Sequence, residues 1–197
     1  TPGLSRYYHA LAFDSERGVV VLFGGRVNQS TLNGETWEWN GSAWMNRNVP
    51  GPSPRYLHGM AYDAARQRTV LFGGLTASSF SGETWEWNGV AWTLRTAVGP
   101  APRAGHAMAF DASRAVTVLF GGALTSQPPY NGETWEWDGA AWAQRVIPGP
   151  PARFAAAMVY DSVRRECILF GGETNTGTFT VTYGTDTWAL GSACYPN

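Results

Sequence analysis

Apolar positions along this chain come in short runs of four or five, either alternating with polar residues or continuous and β-branched. Each run is closed by glycine, proline, asparagine or aspartate. That pattern predicts strands, and no stretch carries the three-to-four-residue apolar spacing of an amphipathic helix. The pattern recurs four times. A first strand over 9–13, and its equivalents, ends in an aspartate (Asp14, Asp63, Asp111, Asp161) whose side chain is placed to cap a tight turn. A second, apolar strand over 19–23 stops at a glycine pair. A third over 35–39 sets Glu35, Trp37 and Trp39 on one face by the two-residue period. Asn40-Gly41, Asn88-Gly89 and Asp138-Gly139 then supply a strong hairpin signal, and a fourth strand starts near Trp44, Trp92 and Trp142.

Spacing within the repeat is nearly invariant. The opening arginines (Arg6, Arg55, Arg103, Arg153) precede the first glycine of the pair (Gly24, Gly73, Gly121, Gly171) by 18 residues in all four copies. The first tryptophan of a copy (Trp37, Trp85, Trp135) precedes the next arginine by 18 as well. Only the step from the second glycine to that tryptophan varies, running 12, 11, 13 and 16, so insertions are confined to one joint per copy. Four antiparallel strands per unit with no helix describe a propeller blade. The other architecture, a β-solenoid, has shorter repeats without two hairpins each. The expected fold is all-β, a single domain of four blades at about 6–50, 55–98, 103–148 and 153–197, each of four antiparallel strands with the last blade incomplete.

Composition narrows the partners. All fourteen basic residues of the 197 are arginines, the net charge is -1, and ten tryptophans offer rings on which guanidinium groups can stack. A near-neutral chain excludes electrostatic capture of nucleic acid. No run approaches the roughly 18 apolar residues of a membrane span. The chain begins with threonine, as expected of one that is processed, trimmed or cut from a longer protein. Cys167 and Cys194 lie outside the repeat pattern. They are either reduced thiols or a disulfide tying the tail to the fourth copy, which would contribute roughly 3 kcal/mol by loop entropy.

The arginine with histidine three residues on, the Val-Leu-Phe-Gly-Gly strand end and the paired tryptophans resemble the kelch motif, over almost the whole chain. The resemblance implies a kelch-type β-propeller and, for most members, a binding scaffold instead of an enzyme. It also implies that the loops after the glycine pair and the residues beside the opening arginine line one mouth of the ring. Those positions differ between copies: Tyr7, Tyr56, Ala104 or Phe154 after the arginine, and Arg26, Leu75, Ala123 or Glu173 after the glycines. The variable loops add Asn28, Phe80, Tyr130 and a threonine-rich segment over 174–185. Tyr7, Arg26, Asn28, Tyr56, Phe80, Tyr130 and Glu173 are therefore the candidate ligand-binding residues, for a protein or carbohydrate partner.

The fourth copy stops short, with no second tryptophan and no Asn-Gly hairpin after Trp188, so fifteen blade strands are expected. A propeller of this family closes by completing one blade from both termini, and residues 1–5 match a linker instead. Three outcomes follow: a piece of a longer propeller, a four-bladed ring with one thin blade, or association of copies through the unpaired strand edge of the fourth blade into a ring or filament. The last is the alternative function, a structural self-assembling protein. The tail 194–197 resembles junctions before anchoring modules in secreted bacterial proteins, which implies an extracellular or cell-surface location.

Candidate chemistry is sparse. His9, His58 and His106 occupy one repeat position, with Ala156 in the fourth copy. They are expected to pack and hydrogen-bond within their blades, with a shared axial metal as the alternative. Of fifteen carboxylates, only Glu16, Glu166 and Glu173 stand outside the repeat, which leaves little for acid–base chemistry. The repeated arginines and glutamates are expected to form buried ion pairs. No nucleophile motif, phosphate-binding loop or metal-ligand spacing occurs, so no cofactor, no metal and no enzyme activity are expected.

Overall fold

The computed structural model describes residues 5–95, 98–174 and 182–191. Blade 1 is built from β1 (Ala10–Asp14), β2 (Val19–Phe23), β3 (Thr36–Trp39) and β4 (Trp44–Asn46), hydrogen-bonded in chain order. Blade 2 repeats this with β5 (Gly59–Asp63), β6 (Arg68–Phe72), β7 (Thr84–Trp87) and β8 (Trp92–Arg95). Blade 3 has β9 (Ala107–Asp111), β10 (Val116–Phe120), β11 (Thr134–Trp137) and β12 (Trp142–Arg145). In the fourth blade β13 (Ala157–Asp161), β14 (Glu166–Phe170) and β17 (Thr187–Gly191) pair, while β15 (Glu173–Thr174) and β16 (Thr182–Tyr183) form a separate short hairpin in the threonine-rich insertion. The described residues thus hold the fifteen expected blade strands in a four-blade propeller arrangement, all antiparallel and without a helix.

Local chemistry explains each blade. The turn aspartates accept from main-chain amides three residues on, as in Arg17 N to Asp14 Oδ1 at 3.0 Å and Arg66 N to Asp63 Oδ1 at 3.0 Å. The opening arginine is the internal post. Arg103, fully buried, donates Nη1 to the Gly121 carbonyl at 3.1 Å and Nη2 to Glu133 Oε2 at 2.6 Å. Arg6 reaches Gly24 and Glu35, and Arg153 reaches Gly171 and Asp186, in the same way. An indole joins each carboxylate, as in Trp135 Nε1 to Glu133 at 3.0 Å. These pairings are the expected ion pairs, and they hold the strand end and the opening segment together in every copy.

Blades pack face to face around an axis lined by β1, β5, β9 and β13. Ala12, Val21 and Phe23 of blade 1 meet Met60, Leu71, Trp87 and Trp92 of blade 2, and the same set recurs between blades 2 and 3. At the next joint Leu190 replaces the tryptophan and packs on Ala109, Val118 and Cys167. Burying each such side chain contributes roughly 1.5–3 kcal/mol, so the joints are the core. Polar bonds fix their register. Trp87 Nε1 donates to Glu38 at 2.9 Å and Trp92 Nε1 to Thr36 at 2.8 Å, while Trp137 and Trp142 address Glu86 and Thr84 identically.

The arrangement is an arc. Each inner strand lies on the next, β1 on β5, β5 on β9 and β9 on β13, but β13 and β1 make no comparable contact. Leu11 of blade 1 and Val159 and Phe170 of blade 4 are exposed, whereas their counterparts Met60, Ala61, Phe72 and Phe120 are buried; Phe13 is exposed where Tyr62 and Phe110 are half-buried. The expected open feature was a strand edge. The larger opening is a pair of uncovered blade faces.

Candidate functional site

One end of the arc is organised by a residue pair in each blade. The residue after the post arginine exchanges two hydrogen bonds with the residue after the glycine pair: Tyr7 with Arg26, Tyr56 with Leu75, Ala104 with Ala123, Phe154 with Glu173. The next residue then turns left-handed, at Tyr8 (φ 57°), Leu57 (56°), Gly105 (64°) and Ala155 (55°). Such values are strained for side chains other than glycine. They persist because each residue bonds to its neighbour in the preceding blade: Leu57 N to Tyr8 O, Gly105 N to Leu57 O, Ala155 N to Gly105 O, at 2.7–3.0 Å. Variable side chains are thereby fixed to an invariant hoop.

Three of the predicted ligand residues, Tyr56, Phe80 and Tyr130, line one hollow of about 340 Å³ together with Ala123, Thr125 and Phe154. Tyr130 stacks on Phe154 with ring centroids 5.4 Å apart and 24° between planes. Its hydroxyl donates to Glu173 Oε1. Burial and the adjacent Glu173 carboxylate push the Tyr130 phenol up to about 12, so it remains a donor throughout the physiological range. Gly105 makes the arrangement sterically admissible, since a Cβ there would stand 2.0 Å from the Phe154 ring. Beside the hollow, the Arg26 guanidinium lies 4.6 Å over the Tyr56 ring. The aromatic edge continues through Tyr8, 6.2 Å from Tyr56, to Tyr7, 5.0 Å further on.

Asn28 stands apart from this group. Its carboxamide oxygen accepts from Ser30 N, Ser30 Oγ and Thr31 N within 3.0 Å, so that atom closes its own turn. Tyr8, half exposed in this row, is not among the residues expected at the rim, although its place beside Tyr7 after a post arginine is a signal in the sequence. A second hollow, of about 490 Å³, lies between the insertions of blades 1 and 2, lined by Ser30, Leu32, Pro54 and Thr76. A third, of about 630 Å³, opens at the opposite end of the inner strands between Phe13, Met60, Tyr62, Met108, Phe110 and Met158. Its lining repeats from blade to blade, as core does; the rim lining does not.

The histidines depart from expectation. His58 and His106 are buried between blades, edge-on to Phe23 and Phe72 of the preceding blade at 5.6 and 5.5 Å, and not bonded within their own. Neither ring nitrogen makes a well-formed hydrogen bond. Burial, reinforced by Arg55 and Arg103 respectively, lowers each to about 3, so both are neutral at ordinary pH. No group of three His, Cys, Asp or Glu side chains among the described residues is placed to hold a metal. Cys167 is buried, and burial pushes its thiol up to about 12; Cys194, its suggested disulfide partner, lies outside the described residues.

The in-strand carboxylates are structural. Glu38 accepts from Arg17 at 2.7 Å and from the Trp87 indole, and Glu86 accepts from Arg95 at 2.6 Å and from Trp137. The signal missed in the sequence is that these acids receive indoles from the following blade. No protein-family model matches the chain, and no curated protein matches it.

Proposed function

We propose that the chain is a non-catalytic, kelch-type propeller module that binds a protein or carbohydrate partner at the aromatic rim, outside the cytoplasm. The observation that carries this reading is the convergence of Tyr56, Phe80, Tyr130 and Phe154, from three blades, on one hollow flanked by Arg26 and Glu173. Exposed aromatic faces gather sugar rings or apolar side chains, and the flanking charges orient them. Support against catalysis is the commitment of the repeated acids and arginines to ion pairs within and between blades. The kelch assignment rests on the recurring motif, and the extracellular assignment on the resemblance of the tail.

Capture from a glycan array and from an extracellular protein mixture, compared between the parent chain and Tyr56→Ala and Tyr130→Ala variants, tests the reading. Binding lost in both variants, with circular dichroism unchanged, is the expected result. Capture that is equal in parent and variants removes the rim as the site.

A further inference from the structure

The first two interior joints share one lock. Trp92 packs on Phe23 at 5.4 Å and donates to Thr36 at 2.8 Å; Trp142 packs on Phe72 at 5.2 Å and donates to Thr84 at 2.8 Å. The following blade brings the indoles, and the preceding blade receives them.

Blade 1 carries the incoming half, and among the described residues no strand of another blade packs on it. Trp39 and Trp44 lie 5.8 Å apart at 46°, close to the 5.5 Å and 40° of Trp87–Trp92 and the 5.6 Å and 41° of Trp137–Trp142. Beside them Leu11 and Phe13 are 48% and 58% exposed. Blade 4 carries the receiving half. Phe170 and Val159 are 54% and 63% exposed, and Thr187 is exposed where Thr36 and Thr84 are buried. Phe170 and Thr187 are directly cross-strand, as are Phe23 and Thr36. The arc holds the two halves apart, so one copy does not close the lock on itself.

We propose that blade 1 of one copy docks on blade 4 of a second copy, head to tail, with Trp44 seated on Phe170 and donating to Thr187. This surface is independent of the rim. Blade 4 carries Ala189 where Glu38, Glu86 and Glu136 stand, so Trp39 receives no carboxylate and the joint between copies is weaker than those within one. Each copy offers one face of each kind, and the association is heterologous.

Light scattering and sedimentation of the full chain across a concentration series test this, with Phe13→Arg blocking the blade 1 face and Val159→Arg the blade 4 face. Both positions are exposed in a single copy, and folding is checked by circular dichroism. The parent is expected to reach multiples of 21.4 kDa, and each variant to stay monomeric. An equimolar mixture of the two is expected to form a one-to-one dimer through its single intact joint. Ala189→Glu, which supplies the acceptor that Trp39 lacks, is expected to tighten association roughly tenfold. A parent mass fixed at 21.4 kDa overturns the proposal, whether the faces close within one copy or stay uncovered. So does association that survives either arginine, or a mixture that fails to pair.

Discussion

Acidification should destabilise this protein through His58 and His106. Each imidazole falls from 6.5 in the unfolded chain to about 3 in its joint, chiefly by burial. Between those pH values the unfolded chain holds more protons, so stability declines as pH falls through 6.5 and this decline ends near 3. At pH 5 the protonation of an unfolded histidine favours unfolding by about 2 kcal/mol, so the pair costs about 4 kcal/mol relative to pH 7.5. His9, more exposed than the other two and also lowered, adds a smaller amount in the same direction. The carboxylates Glu35, Glu83 and Glu133 are lowered as well, but their contribution is present above about 4.5 and fades only below it. The window from pH 7.5 to 5 therefore isolates the histidines. Urea unfolding followed by tryptophan fluorescence at both pH values measures the loss, and the His58→Leu/His106→Leu double variant should abolish most of it. A parent loss under about 1 kcal/mol, or an equal loss in the double variant, refutes the reasoning.

Glu86→Ala should destabilise by about 2–3 kcal/mol in urea unfolding, because it strands the buried Trp137 indole and unpairs Arg95. Glu166→Ala should stay within about 0.5 kcal/mol. Gly105→Ala should cost about 2–4 kcal/mol, combining a left-handed backbone with a Cβ driven into the Phe154 ring, and thermal melting should show it. In a Cys194→Ser background, Cys167 should resist a thiol reagent at pH 8 and react only on adding denaturant, since it is buried and its pKa is pushed up to about 12.

The blades were legible because their determinants are local. The Asp14-type turn, the Gly-Gly strand end and the Asn40-Gly41 hairpin each act over a few residues, and fourfold repetition removed ambiguity. The Arg6–Glu35 type of pair was also readable, from invariant spacing combined with opposite charge. Contacts between blades were not. That Trp87 bonds Glu38 and that His58 lies against Phe23 depend on how one sheet stacks on the next, and both partners belong to the same motif in each of the first three copies. The geometry of the rim was half legible: variability at fixed positions singled out Tyr56, Phe80 and Tyr130, which share one hollow, while nothing in the sequence showed that the Asn28 oxygen closes its own turn.

The first two joints between blades have a direction, with indoles on one side and a Phe–Thr–Glu socket on the other, and at the third Leu190 enters from the same side. A unit of this kind is indifferent to its ordinal position. Duplicating or deleting a central blade in the gene would leave every surviving neighbour facing the surface it already fits, so blade number can drift while no joint needs redesign. Inverting a blade, in contrast, would set socket against socket and indole against indole. Growth of such a molecule is thus restricted to whole copies added in one orientation.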